Sequence, residues 1–211
     1  MNESEIRHTI TEIESELASN EPTADLYNDA GVGYYLLGEY EVSLQYLKRA
    51  VEMDDQPSIL FNLANTHSDL GNPEMAIDLY LKTLEKDPGH VGALNNLADE
   101  YEKTGNEQKA DELFRYITKL QPDEALPFFN LGNFYLRQNK HIRAAKCYET
   151  ALEKNSKFSD AYYNIAWILY RAKAYRNSLD YLEKGLNISP EHREMNNLKS
   201  EIQSLQDDTA V

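Results

Sequence analysis

Small side chains return at a near-constant interval along this chain, at Gly31, Ala64, Ala98, Gly132 and Ala166, spaced by 33, 34, 34 and 34 residues. A second small column keeps the same phase at Ser43, Ala76, Ala110, Ala144 and Ser178. Large residues follow it too: Tyr34, His67, Tyr101, Tyr135 and Leu169 in one row, and Leu47, Tyr80, Phe114, Tyr148 and Leu182 in another. A period of this length holds two amphipathic helices and a turn, a unit that buries its apolar face only against the next copy. Turn formers sit between the paired helices at Gly38, Gly71, Gly105 and Asn139, with Lys173 out of character. Pro88, Pro122 and Pro190 close three units, and Asp55 and Ser156 stand at that place in the other two.

The clearest copy runs from Phe128 to Ser156. Its Phe128, Leu131-Gly132, Tyr135, Ala144, Tyr148 and Ala151 resemble the tetratricopeptide repeat (TPR) pattern, as do residues 24–190 as a whole. The chain departs from the pattern at Ile117 and at Gly185, where Ala is usual, and the first unit is one residue short near Gln56. The resemblance implies an all-α right-handed superhelical solenoid of helix–turn–helix units, 24–56, 57–90, 91–124, 125–158 and 159–190. Apolar stripes at Ile6, Ile10, Ile13 and Leu17, and at Met195, Leu198, Ile202 and Leu205, predict a capping helix within residues 1–23 and another over 191–206. Asn2 and Glu5 form a capping pair for the first. A dimerising or partner-binding role is the alternative for that helix. Residues 207–211 read as a disordered tail.

Net charge is −15, from 36 acidic and 21 basic side chains. Such a surface repels nucleic-acid phosphates and anionic lipid, so neither is expected as the main partner. No apolar run reaches membrane-spanning length, and MNESEIRHTI has no secretory core segment. With the single cysteine, Cys147, unable to form an internal disulfide, the expected place is the cytoplasm.

No catalytic or metal-binding constellation is legible. The histidines, His8, His67, His90, His141 and His192, have no helical metal-ligand spacing, and His141 and Cys147 fall on different faces of a helix. Gly31-Val32-Gly33 lies inside a predicted helix, with no strand before it, and so is no dinucleotide loop. The spread of Asp and Glu reads as a solvated acidic face. The expectation is a protein that is not an enzyme and needs no cofactor or metal.

The family resemblance implies that first helices line a groove for extended peptides. One groove column then reads Asp29, Asn62, Asn96, Asn130 and Asn164. An asparagine amide can pair with a peptide's N–H and C=O, or equally with the neighbouring hairpin. Adjacent columns add Asn28, Phe61, Asn95, Phe129 and Tyr163, then Val32, Asn65, Asp99, Asn133 and Trp167. Packing beneath the C-terminal helix is the other reading of Trp167. Family members that bind chaperone tails use Lys and Arg with Asn at groove places held here by Asn28, Val32, Asn62, Gly92 and Asn96; the basic members are missing, so that subtype does not fit.

Charge singles out the C-terminal half. Residues 1–124 carry 26 acidic and 9 basic side chains, whereas residues 125–158 carry 2 and 6. Arg137, Lys140, Arg143 and Lys146 are followed one unit on by Arg171, Lys173 and Arg176. The expectation is a scaffold or adaptor binding a protein or peptide, with an acidic segment held in the C-terminal half of the groove. Phe129, Tyr163 and Trp167 would contact its side chains, Asn130, Asn133 and Asn164 its backbone, and Arg137 and Arg171 its charge, while Asn62 and Asn96 continue the peptide-binding ladder into the N-terminal half. A self-assembling structural scaffold, a homo-oligomer whose groove is occupied by a terminal helix, its own or a neighbour's, and a regulatory or assembly subunit of an enzyme complex, are the alternatives.

Overall fold

The computed structural model describes residues 2–19 and 21–208, and every regular element among them is an α-helix. The twelve helices are α1 (Glu3–Ser19), α2 (Ala24–Leu36), α3 (Tyr40–Met53), α4 (Pro57–Asp69), α5 (Pro73–Lys86), α6 (Val91–Lys103), α7 (Glu107–Leu120), α8 (Ala125–Arg137), α9 (His141–Lys154), α10 (Ser159–Arg171), α11 (Tyr175–Ile188) and α12 (Arg193–Asp208). The chain divides into two compact units, Met1–Leu113 and Phe114–Val211, and the division falls inside α7.

Each pair of helices is joined by one turn design. The turn residue is left-handed at Gly38, Gly71, Gly105, Asn139 and Lys173, with φ between 57 and 80°. The following N–H reaches back five residues to a carbonyl: Glu39 to Tyr34, Asn72 to His67, Asn106 to Tyr101, Lys140 to Tyr135 and Ala174 to Leu169. This is the Schellman closure, which requires a positive φ at that residue. Lys173, out of character in sequence, adopts the same conformation as the glycines. The odd interval of 33 also has a cause. Three residues separate α3 from α4, where four separate α5 from α6, α9 from α10 and α11 from α12.

In the N-terminal unit α2 pairs with α3 and α4 with α5, and the small columns are fully enclosed. A β-carbon at Gly31 would lie 2.6 Å from Leu47 Cγ, so the helices approach closer than alanine allows. Leu47, Leu63, Ala64, Ala76, Leu79, Tyr80 and Leu97 form one core. Burying a ring such as Tyr80, 1% exposed, stabilises by about 2–3 kcal/mol.

The first helix is docked. Asn2 and Glu5 cap each other's backbone N–H at 2.8 and 3.0 Å. Ile6 and Ile10 are buried, and Ile10 fills the space that a side chain at Gly33 would occupy. Glu14 Oε1 accepts from the hydroxyls of Tyr34 and Tyr46, both at 2.7 Å. The bond to Glu14 raises the Tyr34 phenol to about 12. Arg7 adds an ion pair to Glu39 at 3.0 Å.

In the C-terminal unit α8 pairs with α9 and α10 with α11, with α12 packed on the last pair. Met195, Leu198 and Ile202 join Ala166 and Leu182 in its core. Gly185, the exception to the alanine column, is explained here: its missing β-carbon would lie 2.5 Å from Met195 Sδ. Helix α12 extends through Asp208, two residues past the expected end, so Asp207 and Asp208 are helical. The rest of the expected tail, 209–211, lies outside the described residues. No described helix is long and apolar enough to cross a membrane.

Candidate functional site

Two matching hydrogen-bonded clasps organise the first-helix faces. In the N-terminal unit, Asn65 Oδ1 accepts from the Tyr80 hydroxyl at 2.7 Å and from Asn96 Nδ2 at 2.8 Å. In the C-terminal unit, Asn133 Oδ1 accepts from the Tyr148 hydroxyl at 2.8 Å and from Asn164 Nδ2 at 3.2 Å. Each clasp ties three helices: the asparagine's own, its hairpin partner and the first helix of the next pair. Asn62 makes a simpler version, donating to Asn28 Oδ1 at 2.8 Å. Of the two uses of the asparagine column, the bond to the neighbouring hairpin is therefore formed by Asn62, Asn96 and Asn164. Asn130 is half-buried on the same helix as Asn133, and Asn95 turns back to the Val91 carbonyl of its own helix.

The aromatic column is partly used for packing. Phe129 lies 5.5 Å from the Tyr148 ring and 4.5 Å from Phe158, which precedes α10. Phe61 lies 4.6 Å from His90, and Tyr163 lies 5.6 Å from His192. Both histidines also cap a helix, accepting at Nδ1 from the N–H of Ala93 and of Met195. Neither role was apparent from the sequence, because histidine is a rare cap. Trp167 packs against the core that includes α12, and it also carries the Arg171 guanidinium over its ring at 5.2 Å. The packing reading of the tryptophan is the one seen in these contacts.

Around the two clasps the charge is opposite. The N-terminal clasp opens into a cavity of about 180 Å³ whose wall includes Tyr35, Ser68, Asp69, Asp99 and Glu100. Glu100 is 2% exposed and accepts from Ser68 Oγ and Lys103 Nζ, both at 2.6 Å. This corrects the reading of the carboxylates as a uniformly solvated face. Their even spacing in sequence hides the one whose place in the helix turns it inward. The Tyr35 hydroxyl donates to Asp69. Burial pushes the Tyr80 phenol up, and Glu100 and Asp69 raise it further.

The C-terminal clasp has an arginine where the other has a carboxylate. Arg137 stands four residues after Asn133, as Asp69 does after Asn65. Burial pushes the Tyr148 phenol up as well, but the Arg137 charge opposes the rise. Arg171 lies one further repeat along, held over Trp167. Asn133 and Arg137 lie one turn apart on α8, and Asn164, Trp167 and Arg171 follow one another along α10. A guanidinium presents paired donors to a carboxylate, so this surface is suited to an anionic side chain or terminus. Among the described residues, no group of three His, Cys, Asp or Glu side chains is arranged to hold a metal ion.

Comparison with known proteins agrees with this fold. Profiles of the tetratricopeptide repeat match residues 23–53, 59–92, 79–112 and 129–192. Over 61 residues the chain is 33% identical to the anaphase-promoting complex subunit CDC16 of Saccharomyces cerevisiae, a stretch that is 29% of this chain and 7% of the yeast protein. The C-terminal part of a TPR repeat-containing protein from Cytophaga hutchinsonii superposes with a TM-score of 0.75 at 16% identity, covering 94% of this chain and 80% of that one. The TPR protein YrrB superposes at 0.62 with 17% identity, covering 89% of this chain and 97% of its own. Repeat period, turn design, hairpin packing and profile matches coincide, and the chain belongs to the tetratricopeptide repeat family.

Proposed function

We propose that this protein is a non-catalytic scaffold that holds a segment of a partner protein against the first-helix face of its C-terminal unit, with an acidic group gripped by Arg137 and Arg171. The observation that carries the reading is the reversal of net charge around one repeated hydrogen-bond frame: Asp69, Asp99 and Glu100 outweigh Lys103 at the N-terminal clasp, and Arg137 and Arg171 stand at the C-terminal one. Asn133 and Asn164 still have amide groups to offer a ligand backbone beyond their mutual bond. Phe129, Tyr163 and Trp167 are half-buried and contribute ring surface beside them. Similar proteins support a binding role. YrrB has an unusual peptide-binding site, and CDC16 is a subunit of a multiprotein complex. The thiol of Cys147 is compatible with a reducing compartment such as the cytoplasm.

The test is calorimetric titration with an aspartate-rich dodecapeptide and its lysine-substituted counterpart. The acidic peptide binds wild type, and Arg137→Glu/Arg171→Glu weakens it by tenfold or more, since two charge-assisted contacts become repulsive. Equal affinity in the double variant, or preference for the lysine peptide, refutes the assignment.

A further inference from the structure

The second helices carry a residue just after their small column: Leu44, Ile77, Asp111, Ala145 and Leu179. Leu44 and Ile77 are half-buried against the N-terminal core, and Leu179 against the C-terminal one. Ala145 stops three carbons short of them. A groove of about 680 Å³ opens at that point between α9 and α10, walled by Ile142, Ala145, Ile168, Leu169 and Ala172. Ile142 is 89% exposed, in a column otherwise occupied by Glu41, Glu74, Gln108 and Arg176. An isoleucine so exposed contributes nothing to folding, and beside an unfilled apolar groove it marks a surface built to be covered.

The rim states what covers it. Lys146 and Arg171 flank the groove against a single carboxylate, Glu149. Arg171 is steadied over the Trp167 ring, which leaves its fork oriented for a carboxylate. We infer that the α9–α10 groove at Ala145 is a second docking pocket, taking one leucine- or isoleucine-sized side chain from a partner segment whose flanking residues are acidic. The anchor supplies the side chain that Leu44, Ile77 and Leu179 supply internally elsewhere, and its acidic neighbours meet Lys146 and Arg171. Small apolar pockets of this kind concentrate binding energy in one anchor residue.

Fluorescence anisotropy with three labelled dodecapeptides tests this: one leucine centred among aspartates, the same peptide with that leucine replaced by glycine, and the leucine peptide with lysine flanks. Wild type binds the leucine–aspartate peptide about tenfold more tightly than either control. Ala145→Leu occupies the floor of the groove with the residue that α3 and α11 use, and weakens that binding about tenfold while the melting temperature holds or rises. Ile142→Glu restores the acid of Glu41 and Glu74 and weakens binding similarly, which keeps the test decisive if Ala145→Leu folds poorly. Arg137→Glu, in the clasp site, weakens the leucine and glycine peptides by the same factor, so the leucine peptide keeps its advantage, which separates this pocket from the clasp site. Absence of binding by wild type, equal binding of the glycine peptide, or full binding by both pocket variants overturns the inference. So does sedimentation showing a wild-type dimer that Ala145→Leu dissociates, because the occupant is then a second copy of this chain.

Discussion

The Tyr148 hydroxyl donates to Asn133 Oδ1 at 2.8 Å, so a fully buried ring on α9 fixes the amide that also receives Asn164 from the next hairpin. Removing the hydroxyl leaves that oxygen one donor, whereas removing the asparagine leaves a phenol without its acceptor. Tyr148→Phe therefore costs about 1 kcal/mol, and Asn133→Ala about 2 kcal/mol, read from urea midpoints at unchanged slope. Equal losses would mean that the clasp is not asymmetric in this way.

Lys173 does a glycine's work at a left-handed turn, with φ 60°. A side chain in that region costs about 1 kcal/mol, and no bond of the turn depends on the lysine. Lys173→Gly is expected to raise stability by about that amount, less the added freedom of its unfolded chain, and thermal unfolding checks it. Gly105→Val, at φ 80°, moves stability the other way.

His67 is 7% exposed, and its Nδ1 has no hydrogen-bond partner. Burial first, then the Lys48 charge, lowers its pKa, so the folded protein holds the ring neutral. As pH falls below about 6.5 the unfolded chain takes up a proton before the folded one, and stability is lost progressively with falling pH. His67→Leu, copying Leu169 in the same column, removes that part of the loss. The difference in unfolding free energy between variant and wild type widens from about pH 7.5 to about pH 5.5; a constant difference contradicts the assignment.

Glu14 accepts from two tyrosines on two helices. Glu14→Ala is expected to loosen α1 by about 1 kcal/mol, a modest figure because the phenols are partly solvated. Hydrogen exchange reads it as faster exchange at Ile10, Ile13 and Leu17, while Glu14→Gln, which keeps an acceptor oxygen, stays protected.

The repeat itself was plain in the sequence, because the residues that set it are small or large for steric reasons that recur in every copy. Ala64, Ala98 and Ala166 are wholly buried, as their column demands. Lys173 stands at the turn place without being a turn former, since a turn held by five-residue backbone bonds can impose its φ on a side chain that does not prefer it. The candidate site was legible in part. Asn96 and Asn164 lay in the right column, but their acceptors, Asn65 and Asn133, sit in the next one. The tyrosines completing each clasp lie on the other helix of the hairpin, 15 residues on. Glu100 resembled its solvated neighbours, and only its position in the helix turns it toward Ser68. Ala145 was unremarkable until its groove was seen, since an alanine in a helix carries no mark of what it fails to fill.

The contact between Gly185 and Met195 bears on how these repeats can be recombined. Ala151 occupies the corresponding place in α9, buried under its own neighbour. A fifth hairpin transplanted into another array would bring a glycine shaped around a thioether and meet a helix expecting a methyl group. The hairpin and α12 are therefore one exchangeable part, and a modular design drawn from this chain must cut before α10, not after α11.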